Sequence, residues 1–139
     1  AALLKDDMGG VRAAAAETLG LFGEGAAPHA AEIAALLKDG KEEVRVAAAD
    51  ALGLLGEATA RHTTELAALL KDGKEGVRVA AANALGLLGE AAAPHTTEVA
   101  ALLKDGNEGV RYAAAEALGL LGEAAAPHTT EVAALLKDG

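Results

Sequence analysis

The sequence predicts an all-α fold, an array of stacked helical hairpins, and three observations lead there. The tripeptide KDG recurs at 38–40, 71–73, 104–106 and 137–139, always 33 residues apart, and a fixed period of this size marks a repeat architecture. Within each interval the apolar residues return at helical rather than strand spacing. The hydrophobic share is 52% but the aromatic share only 1%. The core must therefore be alanine, valine and leucine, which suits closely packed helices better than sheets.

The elements follow in chain order. AALLKDD (1–7) reads as the end of an outer helix, and an inner helix is expected over 8–22, its start weakened by Met8, Gly9 and Gly10. Three complete outer–inner pairs are expected at 25–57, 58–90 and 91–123, with a terminal outer helix at 124–139, all in a single domain. The outer pattern is clearest in PHTTEVAALLKD (94–105). Pro94 suits a first helical turn, Gly106 a stop, and His95, Val99, Leu102 and Leu103 share one face. The inner pattern is EGVRVAAANALGLLG (75–89), where Val77, Ala81, Ala84, Leu85 and Leu88 converge and Gly89 can take a left-handed C-cap. A hairpin with such small inner faces cannot bury enough surface alone, so neighbouring hairpins must complete its core.

The motif D-x-x-x-x-V-R-x-A-A-A-x-A-L-G-x-L-G, repeated along nearly the whole chain, resembles the HEAT-like repeats, particularly the subgroup first described in phycobiliprotein lyases. It is also similar to artificial arrays built on a HEAT-like consensus. The resemblance implies a right-handed α-solenoid with outer helices on the convex side and inner helices on the concave side. It also implies a structural ladder in which Asp6/Arg12, Asp39/Arg45, Asp72/Arg78 and Asp105/Arg111 stitch successive repeats. Arginine suits that task because its planar fork can serve several acceptors. Arg61 in place of proline, and Thr18 and Phe22 in place of alanine and leucine, depart from the pattern.

Two blocks, Asp72–Lys104 and Asp105–Lys137, differ only at Lys74/Asn107, Val79/Tyr112 and Asn83/Glu116. On a helical wheel Val79, Asn83, Gly86 and Glu90 lie opposite the core residues, which places the variation on an exposed face. Free drift of surface positions is one account. Yet Thr96, Thr97 and Lys104, on the outer helix, are unchanged in the next block, which favours a constant frame with an edited inner face. The expectation is a noncatalytic protein- or peptide-binding surface made of Glu17, Val46, Asp50, Val79, Asn83, Tyr112 and Glu116, with Leu54, Leu87 and Leu120 adding apolar contact. Tyr112 is the expected anchor, offering a large rigid area and one hydroxyl. The acids favour a basic partner.

Other classes find less support. A formal charge of −9 works against nucleic-acid binding. No apolar run reaches the roughly 20 residues of a membrane span, and AALLKDD lacks the features of a signal peptide, which leaves the cytoplasm as the default expectation. The chain has no cysteine and no serine, and its carboxylates are spread rather than paired, so neither cofactor nor catalysis is expected. His29, His62, His95 and His128 form a column, each followed three residues later by glutamate. Neighbouring members of the column would stand about 8–10 Å apart, too far to share one zinc ion. No metal site is expected, and buried, neutral histidines bonded to a neighbouring loop would make the fold acid-sensitive. The rival readings are a spacer that stacks head to tail through apolar ends, and an accessory subunit like those of the phycobiliprotein lyases.

Overall fold

A computed structural model describes residues 2–122; the expected helix at 124–139, with His128, lies outside them. Seven α-helices occur among the described residues: α1 (Gly9–Leu21), α2 (Ala30–Ala35), α3 (Glu42–Leu55), α4 (Thr63–Ala68), α5 (Glu75–Leu88), α6 (Thr96–Ala101) and α7 (Glu108–Leu121). Long helices α1, α3, α5 and α7 alternate with six-residue helices, and the starts of α3, α5 and α7 keep the 33-residue interval. No strand is present among the described residues.

Each long helix packs directly on the next, α1 on α3, α3 on α5 and α5 on α7, while the short helices meet neighbouring repeats mainly through 3-10 segments. The long helices thus form one layer of the stack and the short helices the other. Val44, Ala48, Ala51 and Leu52 of α3, and Val77, Ala81, Ala84 and Leu85 of α5, are essentially inaccessible. Ile33, Leu66 and Val99 of the short helices close the core from outside. Burial of each such valine, leucine or isoleucine contributes about 1.5–3 kcal/mol. One apolar cluster runs through all the repeats, as a solenoid requires.

The outer element departs from the sequence expectation. The stretch predicted as one helix at 94–105 is α only over Thr96–Ala101, with 3-10 turns at Gly89–His95 before it and Leu102–Lys104 after it. Pro94 sits inside the first 3-10 turn rather than in the α-helix, and having no N–H it cannot donate to an α-helical ladder. The second 3-10 turn tightens the helix end, with the Asp105 N–H donating to the Leu102 carbonyl at 3.0 Å. The partial outer helix expected at 1–7 is likewise a 3-10 turn, Ala2–Lys5.

The end of each long helix also differs in detail. Gly89 has the positive φ foreseen, 54°, but its ψ of −122° lies outside the left-handed helical well. Gly23, Gly56 and Gly122 share the positive φ. A side chain would strain this backbone, which is why the turn after each long helix is glycine.

Gly86 does not lie on the exposed face. A Cβ placed on it would stand 3.0 Å from the Cα of Ala117 on the next long helix. Gly53 has the same relation to Ala84 at 3.0 Å, and Gly20 to Ala51 at 2.8 Å. The wheel, which considers one helix at a time, cannot see the neighbour that buries the glycine.

Candidate functional site

Every long helix carries three positions, four residues apart, along one face. The first column is Ala13, Val46, Val79 and Tyr112; the second is Glu17, Asp50, Asn83 and Glu116; the third is Leu21, Leu54, Leu87 and Leu120. Spacing by four keeps residues on one helix face, one turn after another.

The first column is not uniformly free. Ala13 is buried, Val46 and Val79 are half-buried against the core, and Tyr112 is 66% exposed. Val46 and Val79 pack against the core, so each offers only part of its surface. All four members of the second column are exposed. In the third, Leu54, Leu87 and Leu120 remain 50%, 57% and 60% exposed, although the protein buries most of its other leucines.

The leucines lean across the repeat boundary. Cδ1 of Leu54, Leu87 and Leu120 would stand 3.5, 3.3 and 3.2 Å from a Cβ on Gly20, Gly53 and Gly86 respectively. Each glycine thus admits both the alanine of the next helix and the leucine one turn further on. The result is a row of partly exposed leucines at one register of successive long helices. Sequence reasoning treated these leucines as additional contacts; their exposure depends on the neighbouring repeat.

Electrostatics follow the second column. Asp50 is exposed, yet partial loss of water, followed by the charge of Glu17, pushes its carboxyl above the usual range. Two shallow depressions lie on this face. Glu17, Lys41, Glu42, Glu43 and Val46 line one, and the other, of roughly 510 Å³, is formed by Asn83, Leu87, Glu116, Ala117, Gly119 and Leu120.

The ladder residues hold this face in register. Arg12 Nε and Nη2 donate to the two carboxylate oxygens of Asp39 at 2.9 and 3.1 Å, while its Nη1 donates to the Asp6 carbonyl at 2.7 Å. Arg45 does the same with Asp72 and the Asp39 carbonyl. Arg78 bonds Asp105 through Nη2 and the Asp72 carbonyl through Nη1. Its Nε lies 2.9 Å from Asp105 Oδ2 without the alignment a hydrogen bond requires. Arg111 holds the Asp105 carbonyl at 2.7 Å. The same carboxylates accept the backbone N–H two residues on, at Lys41, Lys74 and Asn107.

Of the three positions that differ between the near-identical blocks, Lys74/Asn107 belongs to none of the three columns. Both residues are N-caps, and Asn107 Oδ1 accepts the Val110 N–H at 3.0 Å whereas Lys74 provides no side-chain cap. This difference bears on helix stability.

The histidines correct another expectation. Nδ1 of His29, His62 and His95 lies 2.9, 3.1 and 2.8 Å from the carboxylate of Glu32, Glu65 and Glu98 on the same turn, not against a neighbouring loop. The side chains remain 37%, 19% and 12% exposed. The partner of each ring is therefore the glutamate three residues on, one turn along its own chain segment. Among the described residues no three His, Asp or Glu side chains converge as a metal site would require.

A family model described as HEAT repeats matches residues 1–63, 30–99 and 63–138. The chain belongs to the HEAT-repeat family. HEAT repeats commonly act as protein-interaction scaffolds, and the helical solenoid they form is the architecture described above. No curated protein matches this HEAT-repeat chain. No helix among the described residues is long and apolar enough to cross a membrane.

Proposed function

We propose that this HEAT-repeat protein is a noncatalytic scaffold that binds a protein or peptide along the inner face of α1, α3, α5 and α7. The observation that carries the reading is the row of Leu54, Leu87 and Leu120, each more than half in solvent or at that margin, at one register of successive helices. Leaving half of each large aliphatic group in water forfeits about 1 kcal/mol apiece, so a row of them marks a surface that a partner covers. Asp50, Asn83 and Glu116 beside the row supply the polar groups that fix a partner's register. Tyr112 extends the same face and serves as its aromatic anchor.

Selection from a random peptide-display library tests the proposal, with a Leu54→Asp/Leu87→Asp/Leu120→Asp variant as counter-selection. Enriched peptides should bind the parent chain and lose binding to the variant, while both proteins melt alike. Peptides that bind both proteins equally would show that the inner face is not the binding surface.

A further inference from the structure

We infer that the turns Asp39–Gly40, Asp72–Gly73 and Asp105–Gly106 are isoaspartate-forming sites that the arginine ladder holds closed, with Asp105 the first to react. This is independent of what the inner face binds. Asp138–Gly139 lies outside the described residues.

The chemistry needs only the chain and water. The glycine nitrogen attacks Cγ of the preceding aspartic acid, its amide proton and the carboxyl hydroxyl leave as water, and a five-membered succinimide closes. Water then opens the ring on one of two sides. Attack at Cγ restores aspartate; attack at the backbone carbonyl leaves the chain running through Cβ and Cγ, with the former backbone carbonyl as a carboxylate. No atom is gained or lost overall.

Glycine favours ring closure because it sets no side chain against the attacking nitrogen. The fold does not otherwise require it there. A Cβ on Gly40, Gly73 or Gly106 would meet nothing within 4 Å, none of the three has a positive φ, and all are exposed. Asp7 stands at the equivalent position, 33 residues before Gly40. Among the described residues the N–H groups of these three glycines find no acceptor.

The aspartates are the guarded half of each turn. Arg12 donates to both oxygens of Asp39 and Arg45 to both of Asp72, and the backbone N–H two residues on also takes each Oδ1. Ring closure needs a protonated carboxyl that can turn, and these bonds leave neither oxygen free. The backbone opposes it as well. Asp39, Asp72 and Asp105 have ψ of 145°, 146° and 148°. Closure instead brings the glycine nitrogen alongside Cβ, roughly a quarter-turn away, in a region that steric contacts disfavour. Asp105 is held least, since Arg78 reaches Oδ1 through Nη2 at 3.2 Å while its Nε is not aligned with Oδ2.

Reaction therefore waits on local opening, and its rate follows the open population. The product lengthens the backbone by one methylene and draws the carboxylate back by one carbon, so the arginine fork no longer meets it. Each event removes one rung of the ladder.

Peptide mapping with electron-transfer fragmentation, which tells isoaspartate from aspartate, tests this on the full chain incubated at neutral pH, folded and in urea. In urea the three sites should react at similar rates. In the folded protein all should slow by at least about tenfold, Asp105 least. Arg45→Lys should speed Asp72 about tenfold, as an opening made easier by about 1.4 kcal/mol would, and leave Asp105 unchanged. Adding Gly73→Ala, for which there is room, should suppress the reaction at Asp72 without lowering the melting temperature. Thermal melts confirm that the variants stay folded during incubation, and the comparison of folded with unfolded parent chain holds even where a variant does not. Equal rates in the folded and unfolded chain, no rise at Asp72 in folded Arg45→Lys, or Asp39 overtaking Asp105 would overturn the inference.

Discussion

Arg45 reaches 27 residues forward to Asp72, placing Nε 3.0 Å from Oδ2 and Nη2 3.2 Å from Oδ1, and with Nη1 it also holds the Asp39 carbonyl at 2.8 Å. The side chains of Arg45 and Asp72 are only 15% and 13% exposed. One guanidinium thus ties the loop before its own helix to the loop of the following repeat.

Arg45→Ala should therefore destabilise the protein by about 2–3 kcal/mol, since it leaves Asp72 without its charged donors. Arg45→Lys should recover little, because an ammonium lacks the planar fork that meets both carboxylate oxygens and the carbonyl. Urea melts of the three proteins, with the midpoint followed by helical circular dichroism, give the comparison.

Glycine in the inter-repeat seam predicts two substitutions of opposite sign. Gly53→Ala should destabilise by about 1–3 kcal/mol, because its Cβ would stand 3.0 Å from the Ala84 Cα and 3.1 Å from its Cβ. Gly119, at the equivalent position of α7, has nothing within 4 Å among the described residues. Gly119→Ala should stabilise by up to about 1 kcal/mol through helix propensity alone. Thermal melts in parallel would show whether the seam or the propensity decides.

The N-cap difference between α5 and α7 predicts a gain from a single change. Lys74→Asn should give α5 the bond that Asn107 makes to Val110, stabilising the protein by about 1 kcal/mol. Asn107→Lys should cost a similar amount. Chemical denaturation of both variants, together with the exchange rate of the Val77 and Val110 amides, measures the cap directly.

Acid should weaken the ladder. Burial pushes the Asp39 carboxyl up, but the Arg12 hydrogen bond, the Lys41 N–H and the charges of Arg12 and Arg45 outweigh it and hold it below the usual range. The Asn107 N–H, followed by Arg78, holds Asp105 low as well, against its own burial. A depressed folded pKa favours the carboxylate in the native state. Its contribution is fully present above the unfolded value, about 3.9, and is lost as pH falls through the folded one. Stability in urea should drop as pH falls below about 4, and Asp39→Asn should flatten that slope.

Asp50 carries the opposite sign. Its raised folded pKa means that its contribution is fully present below the unfolded value and is lost as pH rises through the folded one. Asp50→Asn should therefore raise stability at neutral pH and leave it unchanged in acid, which the same titration would reveal.

Periodicity alone determined the repeat unit, the all-helical class and the core: Val77, Ala81, Ala84, Leu85 and Leu88 were marked by spacing and are buried. Those properties are legible because a helix fixes which residues share a face, whatever surrounds it. Tertiary structure alone decided what depends on the neighbouring repeat. Gly86 reads as exposed on its own helix and is buried by Ala117; Val79 reads as free and is half-covered; Leu87 leans over Gly53 of the preceding long helix. The histidines likewise took their partners from their own turn rather than from a neighbouring loop. A one-dimensional pattern encodes direction around a single helix axis, whereas burial and adjacency are set by how close the next axis comes, and here that distance is set by glycine meeting alanine.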